Sequence, residues 1–299
     1  MLRLMRVYVT GASGFVGSHV ARELREQGAE VRDEFVDLAD RAGLERAMDG
    51  CDAVFHVAAL YSFDEPAGEL ERVNVEGTRN VLAACAARGV RRLVHTSSSA
   101  TCGPVPGRAA TEGDSPPPWE LSVPYKWTKL EAERLVLESG LDAVVVNPTT
   151  PVGEGDWRPT PTGRMIRGVA LGRYRAFLDI GLNVVDVRDV ARGHVLALEH
   201  GRGGERYLLG GADLPLAELF AAVCDLAGRP RPRLRIPYAA VRLAALAGLV
   251  NRQEARLARL PAYFSWAKAE RELGYRPGPV EPALARAVAE ALVSPRVLC

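Results

Sequence analysis

A glycine-rich turn near the start of the chain is the feature that most restricts its fold. Gly11, Gly14 and Gly17 lie between an apolar run, RVYVTG (6–11), and a segment of helical periodicity, GFVGSHVARELREQG (14–28). Glycines between a strand and a helix allow a tight turn, close approach of the backbone to a pyrophosphate and close helix–strand packing. The helix start also offers unpaired N–H groups and a positive dipole end to phosphates. The GxxGxxG spacing therefore predicts a dinucleotide-binding unit.

Beyond this turn, the first half of the chain alternates short β-branched runs with helical patterns. This alternation predicts βαβ units and a parallel sheet. One helix is predicted over 73–89, and another over VPYKWTKLEAERLV (123–136). The strands predicted around these helices are AVFHVAA (53–59), RRLVHTSSS (91–99) and DAVVVNP (142–148).

The pattern changes near residue 148. Residues 147–164 are dense in Pro, Gly and Thr and are predicted to be loop. Residues 182–201 return to a strand followed by a helix, which we expect to rejoin the main sheet. The predicted fold class is α/β, a Rossmann-type doubly wound parallel sheet with a smaller, discontinuous C-terminal substrate cap. The NAD(P)-binding domain spans about 1–150, rejoined by about 182–201, and the cap comprises 151–181 and 202–299.

Bulk composition excludes several classes of protein. The chain has 299 residues, of which 47% are hydrophobic and 25% charged, as is typical of globular proteins. Its net charge of +1 provides no overall field toward nucleic acid or membranes. The longest apolar segment, 239–250, is shorter than the ~18 residues that cross a bilayer and contains Arg242. The glycine turn comes too early for a signal peptide, so we expect a cytoplasmic protein. The low net charge and the short apolar segments predict no nucleic-acid partner and no membrane span.

The cysteines and histidines lack the spacing of a metal site or a disulfide framework. His95 lies inside an apolar strand and is predicted to be a core residue. No GxSxG elbow surrounds the serines, so a serine hydrolase is set aside. We expect no metal and five reduced thiols: Cys51, Cys85, Cys102, Cys224 and Cys299.

The region after the first predicted helix is unusually short. A dinucleotide fold needs a second strand that ends in a residue reading the ribose, an acid for NAD or an arginine for the 2′-phosphate of NADP. Residues 28–40 compress the second strand, its helix and the third strand into a dozen residues, too few for a complete βαβ unit. Arg32, Asp33 and Asp37 are all candidates for that residue, and the sequence does not rank them.

Tyr125 and Lys129 form a candidate proton-transfer pair. Residues four apart share a helix face, so both side chains can point into one cleft. A free tyrosine titrates near ~10, and a nearby ammonium favours the phenolate and lowers that pKa. The serine run that includes Ser98 and Ser99 ends a predicted buried strand, where open α/β sheets bind ligands. A hydroxyl there can bond both a substrate carbonyl and the Tyr125 oxygen, so the ordered set predicts an acid–base site.

These motifs resemble those of the extended short-chain dehydrogenase/reductases. TGASGFVG, FHVAALY, NVEGT, HTSSSAT, YKWTK, VNPTTPVG and VVDVRDVARGH occur in the order expected of that family. The branch that fits best is the NAD-dependent epimerase/dehydratase and dihydroflavonol 4-reductase-like branch. Within it, the segments around 147–164 and 182–211 and the motif FSWAKAERELGYRP look most like the hopanoid-associated sugar epimerases. The resemblance covers nearly the whole chain.

The resemblance implies a role for each matching residue. Tyr125 would be the general acid/base, Lys129 its electrostatic partner and ribose anchor, and either Ser98 or Ser99 would polarise the substrate carbonyl. Asn74 would lie in the helix behind the site, and Asp189 would be structural. The implied cofactor contacts are Gly11, Ser13, Gly14, Phe15, Val16, Gly17, Arg32, Asp37, Leu38, Ala58, Ala59, Tyr125, Lys129, Asn147 and Pro148. The candidate substrate contacts are Tyr61, Cys102, Thr149 and Thr150.

The sequence departs from the family pattern in three places. The second-strand region lacks roughly 15–20 residues that relatives carry, so the NAD/NADP discriminator is open, with NADP slightly favoured. Cys102 stands where many relatives have an apolar or aromatic residue. The stretch around 250–262 also looks shortened.

Three functions fit these motifs. The first is a dihydroflavonol 4-reductase-like ketone reductase that consumes NAD(P)H. The second is a nucleotide-sugar epimerase/dehydratase that retains its cofactor, and the third is a non-catalytic dinucleotide sensor. Arg158, Arg164 and Arg167 could bind a substrate phosphate or be solvated loop residues. The resemblance also implies a homodimer and a small carbonyl or nucleotide-sugar substrate.

Overall fold

A computed structural model of the chain describes residue 2 and residues 4–293, apart from the side chain of residue 254. The strands are β1 (Arg6–Thr10), β2 (Glu30–Arg32), β3 (Ala53–His56), β4 (Arg92–Thr96), β5 (Ala143–Pro148), β6 (Thr150–Val152), β7 (Ala176–Leu178), β8 (Gly181–Asp186), β9 (Arg206–Leu209), β10 (Ala212–Pro215) and β11 (Leu234–Ile236). The helices are α1 (Phe15–Glu26), α2 (Arg41–Ala47), α3 (Ala67–Glu71), α4 (Gly77–Arg88), α5 (Pro124–Leu137), α6 (Pro161–Ala170), α7 (Val187–His200), α8 (Leu216–Ala227), α9 (Tyr238–Leu246), α10 (Arg252–Leu257), α11 (Ala267–Leu273) and α12 (Glu281–Val293).

The central sheet is parallel, with strand order β2-β1-β3-β4-β5-β9. Side chains alternate between its faces, so Val7 and Val9 pack under α1 and α7 while Tyr8 packs on the side of α2 and α4. Helices cover both faces, which explains why the inner strands read as continuous apolar runs. This is the predicted Rossmann-type α/β fold.

The strand order reverses between β1 and β3, and this is where ligands of such sheets bind. Residues 28–52 contain one strand, β2, and one helix, α2. The chain therefore passes from the edge strand β2 through α2 directly to β3, without the third strand that a complete unit would add outside β2. The short region recognised in the sequence is thus a shortened βαβ unit with β2 at the sheet edge.

The strand predicted within 182–201 does not join the main sheet. β8 instead lies between β10 and β6 in a three-stranded sheet of the cap region. The helix that follows, α7, does cover the main sheet, and β9 is the strand that pairs with β5. Backbone pairing explains the difference, because β9 occupies the edge of β5 while β6 and β10 pair with β8.

The second core lies in the C-terminal part of the chain. Apolar side chains of α6, α8 and α12 pack together there, with those of β6 and β8. The segment 147–164, predicted as loop, contains β6 and the start of α6, where the Thr160 hydroxyl accepts a bond from Gly163 N–H and Pro161 occupies the first turn. In the described part of the chain, no helix is long and apolar enough to cross a membrane.

Candidate active site

The glycine turn between β1 and α1 has the geometry that a pyrophosphate requires. Gly11 has φ of +68°, and a Cβ built there would lie 2.7 Å from the Cα of Ala58. A Cβ at Gly17 would overlap the carbonyl oxygen of Gly11. Gly14 precedes α1 without a side-chain cap, so the first N–H groups of the helix are available to a ligand. These residues fit the dinucleotide phosphates by leaving backbone and space where side chains would intrude.

Hydrogen bonds hold the ends of β1 and β3 together beside this turn. The Thr10 hydroxyl accepts bonds from the backbone N–H groups of Val57 and Ala58, both at 3.1 Å. Its oxygen also lies 3.0 Å from His56 Nδ1. The switch point is therefore rigid, and Ala58 and the exposed Ala59 follow it on the cleft side.

The other predicted cofactor residues occupy different surroundings. Ser13 is exposed, and Val16 packs against the main core. The Phe15 ring meets the His19 ring edge-on at 6.0 Å. Leu38 is only 8% exposed and packs in the core with α2 and α4, so its predicted cofactor contact stays a prediction.

The three candidates for the ribose-reading residue all have internal partners. Arg32 donates to the carbonyl oxygens of Asp49 at 2.9 Å and Ala47 at 3.3 Å. Asp33 pairs with Arg25 at 2.6 Å. The exposed carboxylate of Asp37 accepts from Ala39 N–H and lies 4.0 Å from Arg72. Because Arg32 holds the end of α2, the structure adds no support to the slight preference for NADP.

Tyr125 lies in the first turn of α5 and is 9% exposed. Burial raises the pKa of its phenol to about 12, and the nearby Ser98 side chain acts in the opposite direction. The Ser98 hydroxyl also accepts from Ala100 N–H, which begins the 3-10 helix Ser99–Thr101. Of the two candidate serines, Ser98 is therefore the one that faces Tyr125, while Ser99 is buried in that helix.

Lys129 lies one turn further along α5 and is almost fully buried. Its Nζ donates to the Thr96 carbonyl oxygen at 2.8 Å. Burial lowers the pKa of its ammonium to about 8, against the effect of the nearby Glu133 carboxylate, which raises it. The sequence predicted that Lys129 would lower the pKa of Tyr125, but here the group that lowers the pKa of Tyr125 is the Ser98 side chain.

A buried polar network that the sequence reading missed lies beneath Ser98. Glu133 accepts from Asn147 at 2.7 Å, from Thr101 at 2.8 Å and from Arg206 at 2.8 Å. Asn147 also donates to the Ser98 carbonyl oxygen at 3.1 Å. The Asn147 side chain thus positions Ser98, and a cofactor contact from this residue would use its backbone. Glu133 four residues after Lys129, on the same helix face, was the available sequence signal.

Asn74 connects the loop after β3 to α5. It exchanges two hydrogen bonds with the backbone of Leu60, at 2.8 and 3.1 Å, and donates to the Thr128 hydroxyl at 3.2 Å. It lies in the π-helical turn Arg72–Glu76. Asn74 therefore aligns the helix that carries Tyr125 with the loop of the cofactor cleft.

Aromatic rings surround Tyr125. The Tyr61 ring centroid lies 4.5 Å from that of Tyr125, and Phe63 meets it edge-on at 6.0 Å. Ala100 belongs to the same cluster, and Leu257 of α10 packs against it. The surface above Tyr125 is therefore largely apolar, and α10 of the cap forms part of it.

The remaining predicted substrate residues differ in access. Thr149 and Thr150 are half-buried where β5 passes into β6. Cys102 is fully buried among Ala110, Leu208 and Phe264, so its prediction as a substrate contact is wrong for this structure. Burial also raises the pKa of its thiol to about 12, which leaves it an inert thiol.

Several other sequence predictions fall on structural residues. Asp189 is buried, pairs with Arg192 and accepts from Gly278 N–H, a structural role. Both His95 ring nitrogens are buried without a partner, and burial lowers its pKa well below the usual value, as for a neutral core histidine. The candidate phosphate-binding residues also differ: Arg158 is exposed, Arg164 is half-buried and lies 3.8 Å from Asp64, and Arg167 is 8% exposed.

Cys51, Cys85, Cys102 and Cys224 are free and buried, whereas Cys299 lies outside the described residues. No cluster of residues suited to a metal ion occurs in the part of the chain that the structure describes.

Comparison with known proteins identifies the family. Residues 7–210 match the model of the NAD dependent epimerase/dehydratase family. The chain belongs to this family. Members of it with similar sequences include a Synechocystis protein named "Putative dihydroflavonol 4-reductase", 36% identical over 94% of this chain and 93% of the relative. "Sterol demethylase protein B" of Methylococcus capsulatus is 37% identical over 78% of each chain.

Solved structures agree with this epimerase/dehydratase assignment. A nucleoside-diphosphate-sugar epimerase from Pseudomonas aeruginosa superposes with a TM-score of 0.84, at 28% identity over 97% of this chain and 98% of that one. The protein is therefore an NAD(P)-binding enzyme of the extended short-chain dehydrogenase/reductase type. Its family and fold were both predicted from the ordered motifs.

Proposed function

We propose that this chain is a dihydroflavonol 4-reductase-like ketone reductase that acts on an apolar carbonyl substrate and consumes NAD(P)H. The observation that carries the proposal is the apolar surface above Tyr125. Tyr61 and Phe63 contact its ring, and Leu257 packs on the same cluster. An apolar substrate body would gain free energy by covering these side chains, whereas a sugar hydroxyl would lose hydration there without a compensating bond.

The cofactor would lie across the switch point. Gly11, Gly14 and Gly17 would hold its pyrophosphate, Ala58 and Ala59 would line the cleft, and Lys129 would hold a ribose hydroxyl. When bound, NAD(P)H supplies the hydride. The choice between NADP and NAD is left to titration with both, since Arg32 already has carbonyl partners.

Proton handling falls to residues of α5 and the end of β4. Tyr125 would donate its phenolic proton to the oxygen of the reduced carbonyl, and Ser98 would hold that oxygen in place with a hydrogen bond. The Lys129 ammonium would stabilise the phenolate that forms. Its bond to the Thr96 carbonyl and the network under Ser98 keep both groups in position before the substrate arrives.

The names of two relatives support a reductase or dehydrogenase of ring-containing, apolar compounds. One is named for dihydroflavonol 4-reductase and the other for sterol demethylation. Both names refer to ring compounds that carry oxygen functions, which suits an aromatic-lined site.

The test is a balance of cofactor against product. Purified protein with NADPH or NADH is offered aromatic and alicyclic ketones, and the loss of absorbance of the reduced cofactor is compared with the alcohol formed. We expect a one-to-one ratio with at least one apolar ketone. Epimerisation of a nucleotide sugar with the cofactor unchanged would overturn the proposal in favour of the epimerase.

A further inference from the structure

The segment 229–259 differs in charge from the rest of the chain. It contains eight arginines and one glutamate, although the whole chain has a net charge of only +1. These residues form β11, α9 and α10 and the turns between them. The arginines are Arg229, Arg231, Arg233, Arg235, Arg242, Arg252, Arg256 and Arg259.

The outward face of α9 is apolar. Val241 and Ala245 face inward and pack with Ala255 of α10. On the opposite side, Leu243 and Leu246 are 68% and 70% exposed, and Leu249 in the following turn is 78% exposed. A helix on the surface of a globular protein normally turns its polar residues outward. This helix has apolar residues on both sides.

Two arginines lie close in the chain to these leucines. Arg242 and Arg252 are exposed, and in the described residues neither forms an ion pair with a carboxylate; Arg252 donates to the Ala245 carbonyl oxygen at 3.3 Å. Arg256 donates to the Ser122 hydroxyl, and the Arg259 guanidinium lies 5.1 Å from the centroid of the Trp119 ring. Elsewhere in the segment, Arg231 and Arg235 do pair, with Asp225 and Asp179.

We propose that this surface docks on an anionic lipid bilayer. The basic leucine surface consists of Leu243, Leu246, Leu249 and Val250 with Arg242 and Arg252. Leucines would enter the boundary between headgroups and acyl chains, while the arginines would bond lipid phosphates at the same depth. Long arginine side chains can reach the headgroups while their stems stay against apolar groups.

Charge favours a bilayer over a second copy of the chain. A two-fold dimer interface would place this surface against itself, so that unpaired arginines would face arginines. A bilayer with acidic headgroups satisfies both the leucines and the positive charge.

The basic leucine surface adjoins the cluster of side chains around Tyr125. Asn251, in the turn between Val250 and α10, donates to the Phe63 carbonyl and to the Asp64 carboxylate, at 3.3 and 2.8 Å. Leu257 at the end of α10 packs against the cluster that contains Tyr125. An apolar substrate could therefore pass from the bilayer to the site over a short distance. This last step rests on the proposed function, whereas docking itself does not.

The experiment is co-sedimentation of the full chain with vesicles of phosphatidylcholine mixed with phosphatidylglycerol, and with vesicles of phosphatidylcholine alone. We expect binding to the anionic vesicles that weakens with added salt. Two variants test the surface: Leu243→Ser/Leu246→Ser/Leu249→Ser, and Arg242→Glu/Arg252→Glu. Each should bind at least about tenfold more weakly. The leucine variant loses the apolar side chains that would enter the bilayer. The arginine variant loses two basic residues, each of which contributes roughly fivefold near an anionic surface.

Matched controls change the same residue types elsewhere. Leu226→Ser replaces an exposed leucine of α8, and Arg41→Glu/Arg46→Glu reverses two exposed charges of α2. Both should bind vesicles as the native chain does, and thermal unfolding checks that every variant is folded.

Docking at this surface is overturned if the native chain does not bind anionic vesicles, or if the controls lose binding as the surface variants do. It is also overturned if the leucine variant instead dissociates a dimer in light scattering. Vesicle binding needs no turnover, so a negative ketone reductase assay would leave the conclusion about docking unchanged.

Discussion

At the scale of single residues, Tyr125 is a poor acid in isolation and must be helped by its neighbours. Its pKa is raised to about 12 by burial, and Ser98 is the neighbour that opposes this. A phenol with a pKa this high holds its proton at neutral pH, as the proposed role of proton donor requires. The developing phenolate then requires the Lys129 ammonium close by.

Replacement of Tyr125 by phenylalanine tests its role directly. Tyr125→Phe should lower turnover by about 10²–10⁴-fold, because a positioned general acid contributes that much. The cofactor dissociation constant, measured by fluorescence quenching, should remain close to native, since the ring packing is retained. Unchanged turnover would remove Tyr125 from the mechanism.

Lys129 should make stability depend on pH in a way that a variant can reveal. The folded protein releases the Lys129 proton at about pH 8, whereas the unfolded chain holds it to about 10.5. Between these values the unfolded state binds more protons, so stability rises with pH. Relative to Lys129→Met, the native free energy of unfolding should therefore rise by up to about 3 kcal/mol across this range. Urea titrations at several pH values measure it, and parallel curves for the two proteins would contradict it.

At the scale of elements, the glycine turn is the most exacting piece of backbone. Gly17→Ala would place a methyl group against the Gly11 carbonyl oxygen and force β1 and α1 apart. We expect cofactor affinity to fall at least tenfold, as measured by calorimetric titration, since pyrophosphate binding depends on this close packing. Gly68→Ala is the matched control, because a Cβ there has no atom within 4 Å. Equal affinities in both variants would refute the assignment of the turn.

The network under Ser98 joins the ends of β4, β5 and β9 to α5. Glu133→Gln keeps the shape of the side chain but leaves the half-buried Arg206 without its counter-charge. Stability should drop by about 2–4 kcal/mol, because a partly buried charge loses its partner. Turnover should fall more than cofactor affinity, since Ser98 loses support through Asn147. Glu131→Gln on the same helix is the control, and a variant indistinguishable from it would show that the network has no positioning role.

Element prediction succeeded where the pattern was local. The helix carrying Tyr125 was expected over 123–136 and runs from Pro124 to Leu137, because a proline starts it and no further glycine or proline interrupts it. β6 and the start of α6 were missed inside 147–164, although Thr160 and Pro161 form a helix-start signal. Their apolar partners come from α8 and α12, more than forty residues further along the chain.

At the scale of the whole molecule, Leu257 of α10 brings the C-terminal part of the chain against the cluster around Tyr125. Leu257→Ala would open the surface above Tyr125 on the side of α10. For an apolar ketone we expect KM to rise about fivefold with kcat little changed, since about 1 kcal/mol of apolar contact is lost equally from bound substrate and transition state. Steady-state kinetics measures both values, with Leu226→Ala on the outer face of α8 as the control. A loss confined to kcat would assign Leu257 a different role.

Two whole-molecule expectations from the sequence stay predictions: the division into a cofactor domain and a cap, and the homodimer. The net charge of +1 was a poor guide at this scale, because it averages an arginine-rich segment with an acidic remainder. Leu243 and Leu246 of α9 are exposed, so that segment forms a surface that is both apolar and basic.

The sequence by itself determined the family and the cofactor class, and it predicted Tyr125 and Lys129 as the candidate proton-handling pair. These depend on residues close together in the chain, such as the glycines of one turn or Tyr125 and Lys129 on one helix face, whose geometry follows from local backbone periodicity. Only the tertiary structure decided that Ser98 rather than Ser99 faces Tyr125, that Cys102 is enclosed, and that Glu133 meets Arg206 across 73 residues. Such contacts arise because the parallel packing of β4, β5 and β9 beside α5 brings distant parts of the chain together, and that packing is not encoded in any short segment.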